Sequence, residues 1–281
     1  MLNFGIIVND MIRFPNAKIN LGLYVERRRD DGYHDISTVF YPIPLKDVVE
    51  VVKSESTVLR TYGNPVDCPL EKNLVMKAYR LLEKEFGLPP VEICLYKHIP
   101  DGAGLGGGSS DASAVLKILN DLFALGLDDA ELARRAVKLG ADCPFFVYNR
   151  PVAARGIGDV FEDVDVDLSG MTAVVVKPDV YVSTAEAYRG VVPRIPEMDV
   201  AEIVRHPVGE WKGVLENDFE AHVFGLYPRL QEIKQSLYDS GAVYASMSGS
   251  GSAIYGLFGS DIMAETFVSR SREKRIFKMV L

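Results

Sequence analysis

Hydrophobic and polar residues alternate along residues 14–25, near the start of the chain. One face of this segment is apolar and carries Ala17, Ile19, Leu21 and Leu23. A period of two predicts a β-strand with one buried face. The other face carries a cation and an amide, Lys18 and Asn20, and the simplest interpretation is that this face is solvated.

Apolar runs predict further strands at residues 47–52, 91–96, 172–176 and 252–258. Helical patterns lie between them, which is typical of a mixed α+β protein. The stretch 162–170 is acidic and rich in turn residues, so we interpret it as a linker. The sequence therefore predicts two lobes, residues 1–162 and residues 163–281.

Helical spacing of apolar residues is clearest on either side of a glycine-rich segment. An amphipathic helix is expected over residues 73–86, with Gly87 as its stop. A second helix can be capped by Ser109 or Ser110 and is expected to end at Gly126.

A third helix and a later helical region follow. Asp128 and Glu131 form a capping-box pattern, and the helix they begin is expected to extend through Lys138. Residues 211–238 also have a helical pattern. No internal repeat interrupts this order of elements.

Composition narrows the class of protein. The 281 residues carry a formal net charge of −8, which argues against a protein whose main partner is the nucleic-acid backbone. One small anionic ligand held by backbone amides is still allowed. No apolar run approaches the roughly 20 residues that span a bilayer, so no membrane partner is expected.

The cysteines and the first residues suggest a cytoplasmic protein. Three cysteines lie far apart and match neither a zinc spacing nor a disulfide framework. A reducing cytoplasm is therefore the expected location. The leader of ten residues is a poor signal peptide, and we expect translation to start at Met11.

The glycine-rich loop, residues 100–110, is the strongest chemical signal in the chain. It reads PDGAGLGGGSS and lies between a predicted strand and a predicted helix. Its glycines let the backbone approach a ligand, and the helix start directs N–H groups outward, as in phosphate sites. A flexible loop without a ligand is the alternative.

Two common phosphate loops do not fit this segment. No Gly-Lys-Ser/Thr follows the glycines, so the loop is not a Walker A motif. Gly102, Gly104 and Gly107 match the spacing of a dinucleotide-binding loop. The next helix, however, leads to another helix instead of to a strand ending in an acid, and the dinucleotide interpretation fails.

Four ordered motifs resemble those of the GHMP kinases. They are PNAKINL at 15–21, DGYH at 31–34, the glycine-rich loop, and GADCPFF at 140–146; MSGSGS at 247–252 also resembles the family's third motif. The resemblance covers nearly the whole chain. It is greatest to the branch that phosphorylates the 2-hydroxyl of a cytidyl-erythritol diphosphate in the non-mevalonate route to isoprenoid precursors.

This resemblance implies a fold and a reaction. The fold is a two-lobed α+β structure, with a left-handed βαβ unit in an N-terminal α/β sandwich and a ferredoxin-like C-terminal lobe. The reaction moves the γ-phosphate of ATP to an alcohol, with Mg²⁺ expected beside ATP. No carboxylate pair stands out as the magnesium ligand, so none is named.

The catalytic pair implied by the resemblance is Lys18 and Asp142. Transfer to a hydroxyl needs a carboxylate to accept the proton and a cation to steady the attacking oxygen. A carboxylate beside a cation is a weak base, so positioning is expected to contribute more than proton abstraction. A residue making only local turn hydrogen bonds is the alternative for Asp142.

The resemblance also implies two binding sets. The ATP set is Pro100, Asp101, Gly102, Ala103, Gly104, Leu105, Gly106, Gly107, Gly108, Ser109 and Ser110, with Asn73 and Lys97. The substrate set is Asn20, Tyr33, His34 and Tyr181. Capping or solvated roles remain open for Asn73 and Lys97, and core packing remains open for Tyr181. The role of Asp111, an extra carboxylate after the loop, is also open.

Two other functions stay possible at this point. One is a different GHMP kinase, such as a homoserine or mevalonate kinase, although the DGYH motif argues against it. The other is a family member without catalysis that senses a ligand, although the presence of both Lys18 and Asp142 argues against that. The oligomeric state is unknown from the sequence.

Overall fold

The computed structural model describes residues 11–66 and 68–281, so the predicted leader lies outside the described residues. The strands are β1 (Ile12–Arg13), β2 (Asn16–Arg28), β3 (His34–Lys46), β4 (Val48–Lys53), β5 (Val58–Gly63), β6 (Val91–Lys97), β7 (Val152–Arg155), β8 (Val160–Asp163), β9 (Thr172–Val176), β10 (Tyr244–Met247), β11 (Ile254–Phe258) and β12 (Ile276–Val280). The helices are α1 (Leu74–Phe86), α2 (Gly107–Leu122), α3 (Asp129–Ala136), α4 (Cys143–Tyr148), α5 (Thr184–Arg189), α6 (Val200–Ile203), α7 (Phe219–Leu226), α8 (Pro228–Asp239) and α9 (Asp261–Arg270).

The chain divides into two compact units that interleave in sequence. The first unit comprises the described residues up to Asn16, Lys46–Asp101 and Gly106–Asn149. The second comprises Ala17–Leu45, Gly102–Leu105 and Arg150–Leu281. The lobe boundary predicted after residue 162 stays a prediction. The linker interpretation of residues 162–170 is wrong, because Leu168 is fully buried within the second unit and its N–H donates to the Tyr41 hydroxyl.

The first unit contains a four-stranded sheet in the order β1-β4-β6-β5. Strands β5 and β6 are parallel and are joined through α1, which makes a βαβ unit. Helix α1 confirms the predicted helix: Asn73 is its N-cap, and Gly87 closes it at a φ of 67°. The core of this unit lies between the sheet and helices α1 and α2, and includes Val51, Met76, Leu82, Ile93, Val115 and Leu119.

The second unit contains two four-stranded sheets, ordered β2-β3-β7-β8 and β10-β11-β9-β12. In chain order the second sheet runs β9, helices, β10, β11, α9, β12, with antiparallel neighbours throughout. This is the β-α-β-β-α-β arrangement of a ferredoxin-like fold, as predicted. Helices α8 and α9 contribute to its core through Leu230, Ile233, Leu237, Ala264 and Phe267.

Strand β2 differs from its prediction in one respect. It is a strand of 13 residues, but nine consecutive positions are buried, so neither face is solvated there. Lys18 and Asn20 are 3% and 2% exposed. The alternation correctly predicted one apolar and one polar face. The polar face, however, contacts buried polar partners instead of water.

The helices that follow the loop also differ in their ends. Helix α2 begins at Gly107 with Gly106 as its N-cap, so Ser109 and Ser110 are not caps, and it ends at Leu122, before Gly126. The capping box that begins α3 is confirmed, although α3 ends at Ala136. Among the helices described, none is long and apolar enough to cross a membrane.

Candidate active site

The glycine-rich loop leads directly into α2. Its N-cap, Gly106, has a φ of 72°, a left-handed value that favours glycine. The first bond of the helix joins the Ser110 N–H to the Gly106 carbonyl at 2.9 Å. The N–H groups before Ser110 therefore have no acceptor inside the helix. Such a helix start attracts phosphate oxygens.

The third-motif loop, residues 247–252, contacts one part of the glycine-rich loop within the second unit. Ser248 Oγ donates to the Gly104 carbonyl at 2.8 Å, and the Ala253 N–H donates to the Ala103 carbonyl at 3.1 Å. A Cβ on Gly104 would lie 1.9 Å from the Ser248 carbonyl oxygen, and Gly104 has a φ of 76°. Only glycine fits at position 104.

Asp142 lies at the start of α4 and is half-buried. Its side chain makes no capping bond to that helix. The next residue is tied to α2, because Ser113 Oγ lies 2.8 Å from the Cys143 carbonyl and 2.9 Å from the Ser109 carbonyl. The first unit thus fixes Asp142 relative to the start of α2.

Lys18 and Asn20 form a buried polar row on β2 in the second unit. Lys18 Nζ donates to Asn20 Oδ1 at 2.6 Å and lies 4.9 Å from the centroid of the Phe40 ring. Asn20 Nδ2 donates in turn to the Thr38 hydroxyl at 3.0 Å. The Tyr255 hydroxyl donates to the Asn20 carbonyl at 2.7 Å. These bonds hold the ammonium of Lys18 in one orientation.

Aromatic residues of the predicted substrate set lie in two places of the second unit. His34 stacks on Tyr188, with ring centroids 4.6 Å apart and an interplanar angle of 22°. Burial, followed by the charge of Arg28, lowers the pKa of His34, so its ring is neutral at pH 7. Tyr181 is 71% exposed and lies against Gly102, where an added Cβ would be 3.0 Å from its ring. An exposed Tyr181 is not packed in the core, and its role as a stacking face for the substrate stays a prediction.

Asn73 and Lys97 have structural partners in the first unit. Asn73 Oδ1 accepts the Val75 N–H at 3.0 Å and caps α1, which was the alternative to ATP binding. Lys97 Nζ donates to Asp111 at 2.7 Å and also bonds Asp47. The ATP assignments of both residues stay predictions.

Lys97, Asp47 and Asp111 form a buried triad next to the start of α2. All three side chains are at most 5% exposed. Asp47 Oδ1 also accepts the backbone N–H groups of His98 and Ile99. The triad has two carboxylates for one ammonium, and Asp111 Oδ1 finds no hydrogen-bond partner in the described part of the chain. Burial, aided by the charge of Asp47, raises the pKa of Asp111 to about 8.

The raised pKa of Asp111 predicts how stability depends on pH. An unfolded Asp has a pKa of about 3.9, so from about pH 4 to about pH 8 the folded chain binds a proton that the unfolded chain has released. Proton binding by Asp111 therefore favours the folded state at low pH, and this contribution to the free energy of unfolding is lost as the pH rises through that range. Asp111→Asn should lose less stability than the parent between about pH 6 and about pH 9, measured by urea unfolding.

The matched control for this prediction is Asp121→Asn, which removes an exposed carboxylate of the same helix. Its pH dependence should follow that of the parent. Parallel curves for Asp111→Asn and the parent would show that Asp111 stays ionised throughout.

Comparison with known proteins decides the family. Models of the GHMP kinase N-terminal and C-terminal domains match residues 73–150 and 200–273. A relative from Bacteroides fragilis, 4-diphosphocytidyl-2-C-methyl-D-erythritol kinase, is 54% identical over 88% of this chain and 92% of its own. The chain belongs to the GHMP kinase family. A kinase of the same name from Cytophaga hutchinsonii is 46% identical over 92% of this chain and 95% of its own.

Solved structures of GHMP kinases confirm the predicted two-lobed α+β fold. A crystal structure of 4-(cytidine 5'-diphospho)-2C-methyl-D-erythritol kinase matches with a TM-score of 0.79 and 36% identity, covering 95% of this chain and 98% of that one. A homoserine kinase from Cytophaga hutchinsonii matches with a TM-score of 0.68 at 19% identity, covering 100% and 98%. The latter likeness shows the GHMP kinase fold alone.

Each unit of this GHMP kinase brings together a different part of the predicted site. The first holds Asp142 and the start of α2; the second holds Lys18, Asn20, Tyr33, His34, Tyr181 and the segment Gly102–Leu105. Sequence reasoning missed Thr38, Tyr188 and the triad partner Asp47. Thr38 and Tyr188 are ordinary residue types for a strand and a helix, so neither gives a local signal. Asp47 lies between two strands, and the usual expectation for such an aspartate is exposure to solvent.

Proposed function

We propose that this chain transfers the γ-phosphate of ATP to the 2-hydroxyl of 4-diphosphocytidyl-2-C-methyl-D-erythritol. As a member of the GHMP kinase family, it uses ATP. The choice of alcohol follows the names of relatives that are 46–54% identical over most of the chain. Its place is then in the non-mevalonate route to isoprenoid precursors, and the expected location is the cytoplasm.

The observation that carries the proposal is the placement of Asp142 relative to α2. Ser113 joins the residue after Asp142 to the helix whose start is suited to phosphate. Phosphoryl transfer to a hydroxyl requires a carboxylate and a phosphate site in a fixed arrangement, and here both belong to the first unit. The burial of α4 makes this placement rigid, since its residues 143–147 are all buried.

The proposed reaction uses the chain's own groups at named atoms. The 2-hydroxyl oxygen forms a bond to the γ-phosphorus, the bond to the bridging oxygen of ADP breaks, and the hydroxyl proton passes to the Asp142 carboxylate. Lys18, oriented by Asn20, provides positive charge for the attacking oxygen. The start of α2 and the glycine-rich loop bind the ATP phosphates.

Magnesium is expected to arrive with ATP. Within the residues that the structure describes, no cluster of three His, Cys, Asp or Glu side chains is arranged for a metal ion. Mg²⁺ keeps several waters and binds mainly through substrate phosphates, so it needs few ligands from the protein. The hydroxyls of Ser109 and Ser110 at the start of α2 are the oxygen donors that could complete its shell; when bound, the ion neutralises phosphate charge.

Recognition of the cytidine part is proposed for Tyr33, His34 and Tyr188. Tyr33 is 61% exposed beside the His34–Tyr188 stack, so a flat base can reach an aromatic face. Stacking tolerates every base, and selectivity for cytosine therefore requires edge hydrogen bonds. The neutral His34 ring offers one donor and one acceptor for that purpose.

A panel of alcohols tests the proposal. ADP release with ATP and Mg²⁺ is expected with the cytidyl-erythritol diphosphate, and not with mevalonate or homoserine. Cytidine diphosphate, which lacks the erythritol, is the control for background hydrolysis. Turnover of mevalonate or homoserine would overturn the substrate assignment, and ATP binding without any turnover would favour a ligand-sensing family member.

A further inference from the structure

The third-motif loop is held from one side by Asn217, a residue outside all the motifs singled out in the sequence. Asn217 Nδ2 donates to the Met247 carbonyl at 2.8 Å and to the Gly249 carbonyl at 2.9 Å. The two acceptors lie on either side of Ser248. Asn217 is 4% exposed, and its Oδ1 accepts the Phe219 N–H at 3.0 Å. Every polar atom of this buried amide group thus has a partner.

Glu220 holds the start of the same loop. Its Oε1 accepts the Met247 N–H at 2.8 Å and the Ser246 hydroxyl at 3.0 Å. Its other oxygen pairs with Lys234 of α8. Asn217 and Glu220 therefore fix both the N–H and the carbonyl of Met247, the residue that leads into the loop.

The segment that carries Asn217 is itself fixed to β2. The Leu23 N–H donates to the Glu216 carbonyl at 2.8 Å, and the Asp218 N–H donates to the Leu23 carbonyl at 2.8 Å. The Val25 N–H donates to Asp218 Oδ2 at 2.8 Å. The backbone around Asn217 is therefore fixed to β2, and the Asn217 side chain holds the third-motif loop from this fixed position.

On its other side the loop determines where Gly104 can lie. Ser248 Oγ bonds the Gly104 carbonyl, and the Ser248 carbonyl leaves no space for a side chain at position 104. A shift of Ser248 therefore shifts Gly104. All of these residues belong to the second unit.

We propose that Asn217 is a positioning residue for ATP, which acts through Ser248 to hold Gly104 where the phosphates bind. The inference rests on the proposed function only in placing the ATP phosphates at the glycine-rich loop. An amide is suited to this role because its NH₂ group gives two donors and its oxygen one acceptor site. A carboxylate of the same shape would turn both donors into acceptors that face carbonyl oxygens.

Asn217→Asp tests the proposal through nucleotide binding. Buried carbonyls without donors are costly, so the Kd for ADP should rise by about tenfold to a hundredfold. Calorimetry with ADP measures this without any alcohol, and the result is independent of the substrate assignment. With active enzyme, the KM for ATP should rise while the KM for the alcohol changes little.

The matched control is Asn120→Asp. Asn120 also holds a loop, since its Nδ2 donates to the Leu127 carbonyl at 3.0 Å and its Oδ1 accepts the Leu127 N–H at 2.9 Å. It lies in the first unit, at the far end of α2. This variant should lower the melting temperature and leave the Kd for ADP unchanged.

A milder variant covers the case in which Asn217→Asp does not fold. Ser248→Ala removes one oxygen and the bond to Gly104, and it should also weaken ADP binding. In combination with Asn217→Ser, the two effects should be less than additive, because both act through one loop. An unchanged Kd for ADP in Ser248→Ala, or equal loss of both substrates in the Asn217 variants, would overturn the proposal.

Discussion

Lys97→Met is expected to destabilise the fold by about 3–5 kcal/mol, the usual cost of removing one partner from a buried ion pair. The side chain of Lys97 is 5% exposed and lies between the carboxylates of Asp47 and Asp111, which are 0% and 2% exposed. Methionine fills a similar volume without charge and leaves the Asp47 carboxylate buried beside Asp111 without its ammonium partner. Urea unfolding of the full chain measures the loss.

Two further variants separate charge from packing. Lys117→Met removes a lysine of α2 whose ammonium donates to the Val147 carbonyl and is 24% exposed, so it should cost about 1 kcal/mol, the worth of one hydrogen bond. Adding Asp111→Asn to Lys97→Met should change stability little near pH 7, because Asp111 already carries a proton there and the remaining buried charge is that of Asp47. Equal effects of the two lysine variants would contradict a charge-based role for the triad.

Local signals made much of the fold predictable. The first helix was predicted well because its apolar spacing, its Asn73 cap and its Gly87 stop all lie within one short segment. Strand β9 matches its predicted range because four apolar residues in a row, after a β-branched threonine, are typical of a buried strand. Helix α2 began earlier than predicted, because a glycine N-cap offers no side-chain signal.

Long-range contacts were not predictable in the same way. The burial of Lys18 and Asn20 depends on Thr38 and Tyr255, which lie up to 235 residues away in sequence. The triad likewise joins Asp47 to Lys97 across 50 residues. The residue types and spacing around the glycine-rich loop indicated phosphate, but nothing in them indicated which distant side chains hold that loop.

The same limit applies to the aromatic residues. The sequence singled out Tyr181 as a candidate to stack on the substrate, and no local pattern indicated that Tyr188 stacks on His34. Tyr188 lies in helix α5 and His34 begins strand β3, so their stack joins two elements that are far apart in the chain. Periodicity within either element carries no information on this contact, and the substrate role of Tyr181 stays a prediction.

Asp142→Asn is expected to lower kcat by about 10²–10⁴-fold, the range typical of a general base, with little change in either KM. The amide keeps the size of the side chain but cannot accept the proton of the 2-hydroxyl. Because the amide also keeps the shape of the carboxylate, the variant should still fold. Steady-state kinetics with thermal melting tests both statements.

Asp128→Asn is the matched control, since it also replaces a carboxylate at a helix start. Asp128 accepts the Glu131 N–H at 2.7 Å, and asparagine caps helices as well as aspartate does, so turnover and stability should both persist. A kcat for Asp142→Asn within tenfold of the parent would remove Asp142 from the chemistry. A large loss that remains well above the uncatalysed rate would instead measure what the α2 phosphate site and Lys18 contribute by positioning alone.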